Sequence, residues 1–184
     1  RPWGVLGSVW EADLNLWRGR YKKVAGTLWV VPHKIDLNSL LQAESQLEKS
    51  GLKYQKLSQG LSSLQESIDC ILVDQMGYLL ELYSGADWAY VGGGFGEGVH
   101  STIEPALQNI PISCGKVKSA LFPEIEELKS QGQLTLIEQG QDLDQWLDGL
   151  RNSFEDKYGI HRERENWKLQ NLARLGASKK IASM

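Results

Sequence analysis

Cysteine, histidine and methionine are scarce in this sequence, with two, three and two residues respectively among 184. Cys70 and Cys114 each lie in or beside a short apolar run, which predicts buried free thiols and a reducing compartment. With so few soft ligands, scattered along the chain, a structural zinc site has almost nothing to be built from. No apolar stretch approaches the roughly 18–20 residues needed to span a bilayer. A net charge of −3 supplies none of the clustered positive charge that sequence-independent nucleic-acid binding requires. No Gly-x-Ser-x-Gly elbow is present, and neither cysteine has electropositive neighbours in sequence, so nucleophilic catalysis has no candidate. Internal repeats and low-complexity tracts are also missing. What remains is an ordinary globular composition, 41% apolar and 23% charged, long enough for one domain with a tail.

Glycine and tryptophan are the exceptions. Five of the eight residues from Val91 to Gly98 are glycine, between an apolar run (Trp88 to Val91) and a segment with helical character (Ser101 to Gln108). A strand, a loop nearly free of side chains and a helix start let backbone N–H groups approach an anion such as a phosphate. The loop lacks a Gly-Lys-Ser/Thr ending, and its glycine spacing breaks the dinucleotide fingerprint. A tight connection without a ligand is the plain alternative. His100 and Glu104 add specificity, because four residues apart they share one face of a helix that starts by His100. Three of the seven tryptophans fall in the first seventeen residues, and the chain opens directly on an apolar run, Trp3 to Leu6. This start reads as a piece of a longer protein.

Short strand-like and helix-like segments alternate from there. Strands are expected at Trp3–Leu6, Val24–Val31 (stopped by Pro32), Leu52–Leu57, Cys70–Val73, Asp87–Val91, Ile110–Cys114 and Leu134–Ile137. Helices are expected at Ala12–Trp17, Leu37–Lys49 with Asp36 as N-cap and Gly51 as stop, Tyr78–Tyr83, Thr102–Gln108 and Glu124–Lys129. From Asp142 strand signals cease. Leu143, Trp146, Leu147 and Leu150 form one apolar stripe, and Trp167, Leu169, Leu172 and Leu175 a looser one. The pattern predicts an α/β fold, a Rossmann-like parallel sheet with helices on both faces over residues 1–140, and a helical C-terminal segment over 141–184.

In such sheets ligands bind beyond the carboxyl ends of the strands. Gly7 and Ser8 close the first strand there, Pro32 and His33 the second, and Asp74 another. Together with the glycine loop they form a ring of polar groups around a crevice. Each has a structural alternative: Ser8 and Glu11 have capping-box spacing, Pro32 is a strand stop, and Glu104 can simply complement a helix dipole.

These residues carry a resemblance. The segment Asp74–Pro105, DQMGYLLELYSGADWAYVGGGFGEGVHSTIEP, resembles the C-terminal half of bacterial 3-deoxy-D-manno-octulosonate (Kdo) transferases. There an Asp-x-x-Gly-x-Leu segment leads to a Val-Gly-Gly strand end and then Gly-Gly-His-Asn-x-x-Glu-Pro. Gly7-Ser8-Val9-Trp10-Glu11 is similar to the family's Gly-Ser-Thr-x-x-Glu turn, and Trp29–Asp36 to its strand ending in Pro-His or Pro-Arg. The matches run from Gly7 to about Gly115. Three positions depart from the pattern: Ser101 replaces the usual asparagine, Val99 follows the single glycine Gly98, and Tyr78 stands where a polar residue is usual.

The resemblance implies the nucleotide-sugar half of a two-domain GT-B glycosyltransferase of lipopolysaccharide biosynthesis. It would move Kdo from CMP-Kdo to a lipid A precursor, with inversion, at the cytoplasmic face of the bacterial inner membrane. Donor contacts are then expected at Gly7, Ser8, Pro32, His33, Gly92, Gly93, Gly94, Gly98, His100, Ser101 and Glu104. No metal or cofactor is implied beyond the donor, and the general base would lie in an N-terminal domain. In GT-B enzymes the final helix commonly crosses back to that domain, and exposure of Trp167, Leu169 and Leu172 in a fragment would then invite dimerisation or disorder. A GT-B enzyme using a UDP-sugar and a non-catalytic nucleotide-binding module are the alternatives.

Overall fold

The computed structural model describes residues 2–23, 26–60 and 68–157. Seven strands, β1 (Trp3–Val9), β2 (Thr27–Pro32), β3 (Tyr54–Lys56), β4 (Cys70–Leu72), β5 (Trp88–Val91), β6 (Ile112–Gly115) and β7 (Leu134–Ile137), form one sheet in the order β3-β4-β2-β1-β5-β6-β7. Every pair is parallel. The helices are α1 (Glu11–Trp17), α2 (Leu37–Lys49), α3 (Leu79–Gly85), α4 (Ile103–Ala106), α5 (Pro123–Ser130) and α6 (Gly140–Lys157).

The strands are buried almost throughout, and successive side chains go to opposite faces, as a sheet covered on both faces requires. Leu6, Leu28, Val30, Leu72 and Tyr90 point to the face covered by α1, α2 and α6 through Leu14, Leu47, Leu143 and Leu147. Val5, Trp29, Ile71 and Ala89 point the other way, beneath Leu82 and Tyr83 of α3. A third cluster joins Ile112, Cys114 and Leu134 to Ile125 of α5. The tryptophans find their use here. Trp17 stacks on Trp88 at 5.8 Å, Trp3 meets Trp29 edge-on at 5.0 Å, and all four are buried.

The α/β expectation holds, with local differences. Asp36 caps α2 by accepting the Ser39 N–H. Pro32 belongs to β2 and pairs with Val9 instead of stopping the strand before it. This is an end position, where the missing N–H costs no ladder bond. The expected start of β2 at Val24 and the apolar stripe of Trp167, Leu169, Leu172 and Leu175 lie outside the described residues. In α6 the stripe Leu143, Leu147 and Leu150 is buried against the sheet.

Candidate functional site

β1 lies between β2 and β5, and the chain leaves it towards β2 and returns on its other side as β5. This is the switch point of an open α/β sheet, where the strand ends leave a crevice. The β1–β2 register breaks here: Leu6 faces Val30 but Val9 faces Pro32, so β1 carries one extra residue. Ser8 absorbs it with φ 52, a bulge that re-aims side chains at the strand end. The ladders then continue past the strands. Gly92 N–H donates to the Gly7 carbonyl at 2.8 Å, and His33 N–H to the Val9 carbonyl at 2.9 Å.

The glycines pack backbone on backbone. A Cβ at Gly92 would enter the Ser8–Val9 backbone, one at Gly94 the Gly115 backbone, and one at Gly7 the Tyr83 hydroxyl. Gly93, with φ 92, accepts N–H bonds from Gly96 and Gly98, and His100 N–H donates back to the Gly92 carbonyl. The N–H groups of Gly92, Gly93, Gly96, Gly98 and His100 are thus held inside the protein. The expectation that these amides present themselves to an anion is corrected accordingly. Only Gly96 of the turn has open space where a Cβ would stand.

The partner of the Gly93 N–H is Asp13, which is fully buried. Its carboxylate also accepts from the Trp10 N–H at 2.8 Å and the Tyr90 hydroxyl at 2.7 Å. Three donors offset much of the cost of burying the charge. One side chain therefore ties the start of α1, the middle of β5 and the glycine turn together. The cap of α1 is the Trp10–Asp13 pair; the expected Ser8–Glu11 capping box does not form, because the bulge takes Ser8 out of line with the helix.

Three rings gather above. The Trp10 indole Nε1–H donates to His100 Nε2 at 2.9 Å, with the two rings only 14° from parallel. His33 lies flat against both, 4.5 Å from Trp10 and 4.1 Å from His100. Lys34 places its ammonium 5.2 Å from the Trp10 ring. Burial, and then the His33 ring beside it, hold the His100 pKa below the usual imidazole value, and nearby Asp13 opposes this. His33 is lowered as well, by burial and then by Lys34, against an opposing contribution from Glu97. Both imidazoles are therefore neutral at pH 7 and act as hydrogen-bonding groups more than as cations.

The other expected residues divide. Ser8 is half-exposed and its hydroxyl bonds to no described residue. Ser101 is exposed, ahead of a helix that begins only at Ile103. His100 and Glu104 therefore do not share a helical face: His100 stays in the loop and turns back onto Trp10. Glu104 lies half-buried in α4; burial, and then the Glu104 charge, raise the pKa of the Tyr83 hydroxyl. With four residues, α4 carries too little aligned dipole to serve as a phosphate site. Asp74 is occupied elsewhere, accepting from the N–H and hydroxyl of Ser58. Trp10 and Asp13 are the residues sequence reasoning missed as site components. Asp three residues into a helix signals a cap, but nothing local signals partners 77 and 80 positions away.

The crevice beside Trp10 and His33 encloses about 30 Å³, room for a water. A wider, open depression of about 720 Å³ runs along β7 and the start of α6, lined by Glu138 and Asp142. Its carboxylates oppose an anionic ligand, and it holds neither imidazole nor glycine turn. Cys70 and Cys114 are free and buried, and burial pushes both thiols up to about 12. Among the described residues no three histidine, cysteine, aspartate or glutamate side chains gather as metal ligands, and no helix is long and apolar enough to cross a membrane.

No protein-family model matches the chain. Over 120 residues it is 36% identical to the 3-deoxy-D-manno-octulosonic acid transferase of Chlamydia muridarum, covering 60% of this chain and 26% of that protein. The enzyme of the same name from Chlamydophila psittaci is 34% identical over 132 residues, 70% of this chain and 30% of its own length. In sequence this chain resembles the Kdo transferases. It spans less than a third of the curated relatives' length. The fold likewise matches a solved structure, the C-terminal CMP-Kdo binding domain of WaaA from Acinetobacter baumannii. The TM-score is 0.70 at 20% identity, over 95% of this chain and 89% of that one. The Rossmann-like fold expected of a GT-B C-terminal domain is thus found.

Proposed function

We propose that this chain is the donor-binding domain of a glycosyltransferase that takes Kdo from CMP-Kdo, with the crevice at the ends of β1, β2 and β5 as its site. The observation that carries the reading is the convergence there of the Ser8 bulge, the glycine turn and the paired imidazoles His33 and His100. It is supported by the names of the relatives and of the structural neighbour. Gly92, Gly93 and Gly94 shape the floor of the site, while Ser8 and His100 supply hydroxyl and imidazole donors at its surface. Such donors stabilise the negative charge that develops on a departing CMP phosphate, the electrostatic part of an inverting transfer. Deprotonation of the acceptor hydroxyl belongs to a partner domain, the acceptor is a lipid A precursor, and the full enzyme works at the cytoplasmic face of the inner membrane.

Titration of the chain with CMP, using UMP and AMP as controls and heteronuclear NMR as readout, tests this. Selective shifts for CMP at Gly92–Glu104, weakened in His100→Ala, are expected. Selectivity for UMP would move the donor to a uridine sugar. Silence with all three nucleotides at millimolar concentration would leave the crevice without its assigned ligand.

A further inference from the structure

We propose that Trp10 is a positioning residue that holds His100 in the neutral tautomer carrying its proton on Nδ1, so that this nitrogen becomes the directed hydrogen-bond donor of the site. The identity of the ligand rests on the donor-binding reading above; the tautomer does not. An indole Nε1–H only donates, so the 2.9 Å bond from Trp10 occupies the lone pair of His100 Nε2. The one proton of a neutral imidazole must then sit on Nδ1, and no described residue accepts from it. The ring is held on its other edges too. His33 lies flat on it at 4.1 Å, and the Cδ2 of His100 itself borders the space above Gly93. Trp10 is in turn fixed through its own N–H on Asp13, which also holds the Gly93 N–H. One buried carboxylate thereby sets both the donor to Nε2 and the turn beneath the ring.

The charged and titratable groups around His100 are His33, Asp13, Lys34 beside Trp10, and Glu97 acting on His33. Asp13 favours an imidazolium, but the burial and the His33 ring oppose it more strongly. A protonated ring would also set an Nε2–H against the indole N–H. The arrangement therefore selects a neutral donor with a fixed direction.

Long-range proton–nitrogen correlation on the 184-residue chain labelled with ¹⁵N-histidine reads the tautomer directly. An unprotonated Nε2 and a protonated Nδ1 are expected for His100. In Trp10→Phe the Nε2–H form should appear and the titration midpoint rise by about one pH unit, since a hydrogen bond to the neutral form has been removed. A proton on Nε2 in the unsubstituted chain, or an unchanged tautomer in Trp10→Phe, would overturn the proposal. Should Trp10→Phe not fold, the unsubstituted spectrum alone decides. The direction of the donor is read with His100→Asn and His100→Gln, whose amide nitrogens reach the Nδ1 and Nε2 positions respectively. CMP affinity should survive better in the asparagine variant, by roughly tenfold, and equal affinities would sink the directed donor. If the tautomer is found but CMP does not bind the unsubstituted chain, the positioning role stands and the donor-binding reading fails.

Discussion

Asp13 is where a single side chain bears most on this site. Replacing it with alanine removes the acceptor of the Trp10 N–H, the Gly93 N–H and the Tyr90 hydroxyl, the last two of them buried. We expect Asp13→Ala to cost about 3 kcal/mol or more, with Tyr90→Phe nearer ~1 kcal/mol. Urea denaturation measures both, and a loss under half a kilocalorie in Asp13→Ala would contradict the network. His100 gives a pH signature. Its folded pKa lies below the unfolded value of about 6.5, so between the two the unfolded chain binds more protons. Stability is then full above neutrality, falls as pH drops through the unfolded value, and levels off below the folded one. His100→Gln should flatten that slope between pH 7.5 and 5.5, a window above the range of ordinary carboxylates. His33 is exposed and contributes little to it.

The glycine turn shows how an element can be crowded at one residue and open at the next. Gly94 meets the Gly115 backbone, which cannot move without displacing β6, whereas Gly96 has nothing within 4 Å of a would-be Cβ and no positive φ. Gly94→Ala should therefore destabilise by about 2–3 kcal/mol through overpacking, while Gly96→Ala should stay within ~0.5 kcal/mol. Thermal unfolding of the two variants separates a turn built for close packing from one built only for flexibility; equal effects would refute the distinction. The run of glycine was legible in the sequence as unusual. Its division into packing positions and an open tip was not, because the contacts come from Ser8 and Gly115 on neighbouring strands.

At the scale of the whole molecule, the strand order assembles a crevice from segments far apart in the chain. If CMP is its ligand, saturation should stabilise the chain by mass action, by ~2.7 kcal/mol at a hundredfold excess over Kd. A calorimetric scan with CMP and with UMP checks this, and no shift with CMP would count against the donor site. Transfer of Kdo by the chain alone is expected to be absent, because the proposed general base lies in another domain. Turnover by the purified 184-residue chain would overturn that assignment.

The sequence by itself determined the alternation of strands and helices, the cap of α2 at Asp36, the burial of both cysteines and the position of the glycine segment after β5. Each depends on residues within a few positions of one another, through periodicity, capping and local apolarity. Only the tertiary structure decided that Trp10, His33 and His100 form one stack, that Asp13 organises it, and that α4 is too short and starts too late to hold an anion. These follow from the order of strands in the sheet and from the bulge at Ser8. They join side chains up to 90 residues apart in the Trp10–His100 bond, and no local pattern encodes a contact whose partner is fixed only when β1 comes to lie between β2 and β5.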